Sequence, residues 1–141
     1  MFIIVPWERI KKLAAEGLVI GLGIAITLIY IMQNMLGLWN FHLVDIVAVA
    51  QIPLLLSAAW VPAVIMFAHL LTQYKNWTLA VVVLLAFPLA ATFLQLLLVT
   101  NNMLVFRNWN LFMTYFLSLG IHVVILGYLY YTNRLENLRR I

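Results

Sequence analysis

The chain has 141 residues, 67% of them hydrophobic and 9% charged, with a formal net charge of +4 and no cysteine. A soluble domain is about half apolar and about a quarter charged, and one of this length has too little interior to hide so much apolar surface; lipid is the solvent that removes the problem. Without cysteine there are no disulfides, thiolate metal sites or cysteine nucleophiles, and the basic residues flank apolar segments, which points to anionic lipid headgroups rather than nucleic acid.

Residues 1–16 read as a cytoplasmic or interfacial segment. Glu8, Lys12 and Glu16 are spaced four apart for ion pairs along one helix face, while Trp7, Ile10 and Ala14 form a less polar stripe able to lie on a membrane. A solvated helical extension is the alternative. A bilayer core of about 30 Å needs about 20 apolar residues in a helix, and four segments qualify: residues 17–39, 46–71, 77–100 and 109–132. Each is expected to be helical, because backbone polar groups in lipid pair within the segment. The first is too long for the core of a signal peptide and reads as a retained anchor. The second is irregular. Pro53 and Pro62 interrupt it, so either the helix is tilted and kinked, or residues 45–52 form a separate piece at the outer interface. Pro88 is expected to bend the third. Residues 133–141 form a basic tail. The fold class is therefore all-α, a single transmembrane domain built as an up-down four-helix bundle.

Orientation follows from the basic residues. Arg9, Lys11, Lys12, Lys75, Arg134, Arg139 and Arg140 fall on one side and Arg107 alone on the other. Both termini and the Lys75 turn are expected in the cytoplasm. Trp7, Trp39, Trp77 and Trp109 lie near span ends, as interfacial anchors do.

The chain shows signs of duplication into two helical hairpins. Asn34-Met35-Leu36 and Trp39-Asn40-Phe41 near the end of span one resemble Asn102-Met103-Leu104 and Trp109-Asn110-Leu111-Phe112 near the end of span three. Halves of equal orientation imply a pseudo-two-fold axis along the membrane normal.

Small residues four apart, Gly17, Gly21 and Ala25 on span one and Ala86 and Ala90 on span three, allow close helix approach within the bundle or between subunits. The polar residues Gln33, Gln51, Thr92, Gln95, Thr114 and Ser118 fall in the outer halves of the spans. They read either as a cleft for a small polar solute or lipid headgroup, or as interhelical hydrogen bonds of about 0.6 kcal/mol each. His122, near the middle of span four, is expected to be a buried neutral imidazole satisfied by Ser118 and by a polar residue of span two or three, with Gly120 making room for a neighbouring helix. His42, His69 and His122 have no metal-ligand spacing, so neither metal nor cofactor is expected. Glycine-rich phosphate loops, nucleophile elbows and intramembrane carboxylate pairs are missing as well, which argues against an enzyme.

Pro6-Trp7-Glu8-Arg9, Leu36-Gly37-Leu38-Trp39, Ala59-Trp60-Val61-Pro62-Ala63-Val64 and Trp109-Asn110-Leu111-Phe112 with His122 resemble segments of uncharacterised small four-helix membrane proteins of endospore-forming bacteria. The resemblance implies a bacterial cytoplasmic membrane and no known activity.

Two function classes follow. One is a non-enzymatic membrane component that packs against a partner, in a homo-oligomer or a larger membrane complex. The other is an oligomeric transporter or channel for a small polar solute or lipid, working through the outer cleft.

Overall fold

Long apolar runs whose backbone pairs its own hydrogen bonds become long helices. The computed structural model, which describes residues 5–42, 48–49, 52–73 and 76–132, contains four helices long and apolar enough to cross a membrane: α1 (Trp7–Met35), α2 (Leu54–Gln73), α3 (Trp77–Thr100) and α4 (Leu111–Tyr131). Short strands β1 (Trp39–Phe41), β2 (Ala48–Val49), β3 (Ile52–Pro53) and β4 (Leu104–Phe106) lie in the connections.

The N-terminal segment is helical from Trp7 onward. It runs unbroken into α1. Of its apolar stripe, Ile10 is buried, with the neighbouring Leu13, in a cluster with Phe67, Ala68 and Leu71 of α2, whereas Trp7 is exposed. Lys11 Nζ pairs with Glu8 Oε1 at 3.4 Å, three residues apart along the helix. Two stretches of α1, Gly17–Leu22 and Tyr30–Met35, are π-helical.

In span two the helix covers only the later residues. The helix starts at Leu54, directly after Pro53, whose fixed φ suits a helix entrance. Ala48–Val49 pairs antiparallel with Ile52–Pro53, so these residues form a small ribbon rather than helix. The helix has a turn at Ala59, between Leu54–Ala58 and Trp60–Gln73. Pro62 has no N–H to offer the carbonyl of Ala58, which loosens the ladder at that point. α3 passes through Pro88 without a break. Asparagine side chains cap the next two helices: Asn76 Oδ1 accepts from Thr78 N at 2.8 Å and Asn110 Oδ1 from Met113 N at 2.9 Å.

α1 and α3 end alike. Gly37 and Asn102 adopt left-handed conformations, with φ 63° and 57°, and the chain then enters β1 and β4, which pair antiparallel with Trp39 opposite Phe106, Asn40 opposite Val105 and Phe41 opposite Leu104. Leu38 N donates to Met32 O at 2.8 Å and Leu36 N to Ile31 O at 2.9 Å, tying the last turn of α1 to the Gly37 turn.

Two apolar clusters fill the interior. One joins Ile10 and Leu13 of α1, Val64 to Leu71 of α2, Ala80 and Val83 of α3, and Ile125 and Leu129 of α4. The other joins Ile29 and Met32 of α1 with Trp39, Ile52 and Leu104, and with Leu98 and Leu117 packed against them. The second lies at the ribbon end of the molecule.

Candidate functional site

The small-residue stripe of α1 places the site. An added Cβ at Gly21 would come within 3.0 Å of Trp60 O and Val61 Cα, and one at Gly17 within 2.6 Å of Ile65 Cγ1. Only glycine lets the two backbones approach this closely. One turn further on, Ala25 is buried but lines a void. Ala59 and Ala63 of α2 and Ala90 and Ala91 of α3 line the same void. Side chains this short leave a cavity of about 230 Å³ between α1, α2 and α3, closed by Trp39 and Phe41 of β1 at one end and by Met66, Phe87 and His122 at the other. Its walls are otherwise leucine, isoleucine and tryptophan, with Gln95 as the carboxamide. The exposed lining residues Ala59, Ala90 and Leu94 mark its mouth. Ala86 is exposed as well, so the α3 pair does not pack inside the chain.

The described members of the six polar residues expected in one cleft bond to different parts of the chain. Gln33 is buried and accepts from Phe41 N at 3.1 Å, which anchors β1 to α1. Thr92 donates to Pro88 O at 2.8 Å within its own helix. Thr114 joins α4 to α3: its hydroxyl lies 3.2 Å from Gln95 Oε1 and 3.2 Å from Asn110 O, and accepts from Trp109 Nε1 at 2.9 Å. Ser118 is buried beside His122. Gln51 lies outside the described residues. Of the five that are described, Gln95 lines the cavity.

His122 is buried, as expected, with a different set of neighbours. Its Nδ1 lies 2.8 Å from Ser118 O and 3.5 Å from Ser118 Oγ. A carbonyl oxygen only accepts, so Nδ1 carries the proton and Nε2 of the neutral ring is an acceptor. In place of a polar partner from span two or three stand aromatic rings: Phe67 edge-on at 4.8 Å, Phe87 at 6.0 Å and Trp60 at 6.4 Å between centroids. An added Cβ at Gly120 would meet nothing within 4 Å, so no helix approaches there. His69 is buried near the far end of α2, His42 is exposed, and among the described residues no group of three or more His, Asp and Glu comes together.

Sequence reasoning missed Trp39. It is not an exposed anchor like Trp7 and Trp77; its side chain is 3% exposed and packs edge-on to Phe41 at 6.1 Å and Trp109 at 6.3 Å. Its buried Nε1–H has no hydrogen-bond partner. Most buried indole N–H groups have one, and this residue lines the cavity. No signal in the sequence separates Trp39 from the other tryptophans near helix ends, because its burial comes from strand pairing across distant residues.

Comparison with family models, curated proteins and solved structures finds no match to this chain.

Proposed function

We propose that this chain is a four-pass protein of a bacterial cytoplasmic membrane that acts without catalysis, by packing its helices against a partner or a second copy. In this reading it is an up-down bundle with both termini and the Lys75 turn in the cytoplasm and the β1–β4 ribbon outside. The two interior clusters support the alternation of helix directions, since each joins opposite ends of successive helices.

The observation that carries the reading is the outward face of α3. Val82, Leu89, Phe93 and Leu97 are exposed, with Ala86 among them, and only 11% of the most apolar stretch of α3 is buried within the chain. An apolar face this wide is covered by lipid or by another helix, and alanine at its centre admits a helix closely. A channel for polar solutes has less support, because Gln33, Thr92, Thr114 and His122 all bond groups within the chain.

Disulfide trapping tests the packing. The chain has no cysteine, so Ala86→Cys introduces the sole thiol. Oxidation in native membranes is expected to give a cross-linked species from Ala86→Cys and none from Val124→Cys on the exposed surface of α4. A monomer from both, together with a monomeric mass in native mass spectrometry, would remove the packing reading.

A further inference from the structure

The geometry points to an outer-leaflet phospholipid as the occupant of the cavity, with one acyl chain lying along it and an ester carbonyl accepting from Trp39 Nε1. This rests on the membrane placement proposed above and adds a ligand to it.

Length is the first argument. On α3 the lining runs from Phe87 to Leu98, which at a helical rise of about 1.5 Å per residue is about 16 Å. Half of a hydrocarbon core of about 30 Å is about 15 Å. The cavity thus covers the depth of one leaflet, from the ribbon end to the middle of the helices.

Width is the second. A volume of about 230 Å³ spread over that length leaves room for a single hydrocarbon chain. It is far too narrow for a helix, which measures about 10–12 Å across with its side chains. An apolar void of about 150 Å³ already takes up benzene while staying dry, so a larger one with similar walls favours an apolar guest over water.

Trp39 sets the chemistry at the outer end. Trp39 is buried, its Nε1–H is unpaired and it lines the cavity. A water there would need two to four polar partners, and apart from Gln95 the lining near Trp39 is apolar. A carbonyl oxygen needs only the one donor. Tryptophan near a helix end sits at the depth of the membrane interface, where ester groups begin the acyl chains.

The headgroup has a counterpart as well. Arg107, the single basic residue assigned to the outer side, is held against the same strand: its N–H donates to Leu38 O at 2.8 Å, beside Trp39. Arg107 is exposed, and a guanidinium is the side chain suited to pair with a lipid phosphate. Ala59, Ala90 and Leu94 line the cavity and are exposed on α2 and α3, so in this membrane placement an acyl chain enters from the leaflet.

Native mass spectrometry and thermal melting in mild detergent test this, with palmitoyl-oleoyl phosphatidylglycerol as the probe. Wild type is expected to retain one phospholipid per chain and to melt higher when the probe is added. Ala91→Leu fills the cavity. It is expected to lose at least ten-fold in lipid occupancy while melting no lower than wild type without lipid, which separates loss of the site from loss of the fold. Trp39→Phe keeps an aromatic ring and removes the donor, and is expected to weaken occupancy about five-fold, the effect of one hydrogen bond. Wild type that binds no lipid, or Ala91→Leu that binds as much as wild type, overturns the proposal. An equal shift with palmitate alone overturns the phospholipid assignment. Carbonate washing of native membranes distinguishes the two levels: a protein that stays in the pellet but carries no lipid overturns the ligand alone, and one that washes off overturns the membrane placement with it.

Discussion

Asn40 and Val105 stand opposite one another in the ribbon, and each is reached by the same succession of local structures. α1 ends at Met35, Gly37 turns left-handed and the strand begins at Trp39; α3 ends at Thr100, Asn102 turns left-handed and the strand begins at Leu104. Trp39 and Leu104, equivalent in the two units, are buried in one cluster. The flanking bonds are reciprocal too, Arg107 N to Leu38 O and His42 N to Met103 O, both at 2.8 Å. The repeat expected from the sequence has a different register. It matched Asn34-Met35-Leu36 with Asn102-Met103-Leu104, yet the first stretch closes a helix and the second opens a strand. Side-chain likeness guided that match, whereas backbone geometry equates Gly37 with Asn102, the two residue types that best tolerate positive φ.

The ribbon predicts a cross-link. Asn40 and Val105 form a directly opposed pair, of the hydrogen-bonded kind with Cα atoms about 5.5 Å apart, within disulfide range. In a chain without other cysteines, Asn40→Cys with Val105→Cys should oxidise to an intramolecular disulfide, read as a mobility shift on non-reducing gels. Free thiols in both after oxidation would dissolve the ribbon.

Topology is predicted from charge. Reporter fusions after Arg140 and within the Lys75–Asn76 turn should report cytoplasm, and fusions near Phe41 or Phe106 should report outside. Since β1 and β4 pair, the two outer fusions must agree. Opposite reports from them would contradict the ribbon, and an external C-terminus would reverse the orientation.

Two glycines of α1 should respond in opposite directions. Gly21→Ala drives a Cβ to 3.0 Å from the backbone of Trp60 and Val61, an overpacking that costs about 1–3 kcal/mol. At Gly23 a Cβ meets nothing within 4 Å, so Gly23→Ala should be neutral or stabilise by up to about 1 kcal/mol through helix propensity. Melting curves in one detergent compare them; equal destabilisation would show that α1 and α2 do not approach at Gly21.

His122→Gln should be tolerated and His122→Leu should cost about 1 kcal/mol. Glutamine retains a donor for Ser118 O, while leucine removes both that bond and the edge-on contact with Phe67. Stability in detergent measures the difference. Stoichiometric metal or haem in the purified protein, lost in His122→Gln, would instead make this residue a ligand.

Hydropathy alone determined that there are four long apolar helices, and the bounds of two of them. α3 occupies the residues expected of it, and α4 lies within its expected bounds, because twenty or more apolar residues leave the backbone little choice but internal pairing. The glycine stripe of α1 was legible for the same local reason: spacing of four puts Gly17, Gly21 and Ala25 on one face whatever that face meets. Tertiary structure decided the rest. Strands three residues long carry no periodicity, so the pairing of Trp39–Phe41 with Leu104–Phe106 depends on helices that bring distant loops together. That pairing buries Trp39. The cavity depends on it in turn, since alanines from three helices make a void only once packing at Gly17 and Gly21 holds α1 against α2. A polar residue's depth can be read from the chain, but its partner cannot, because each hydrogen bond is made with whichever group the fold brings within about 3 Å.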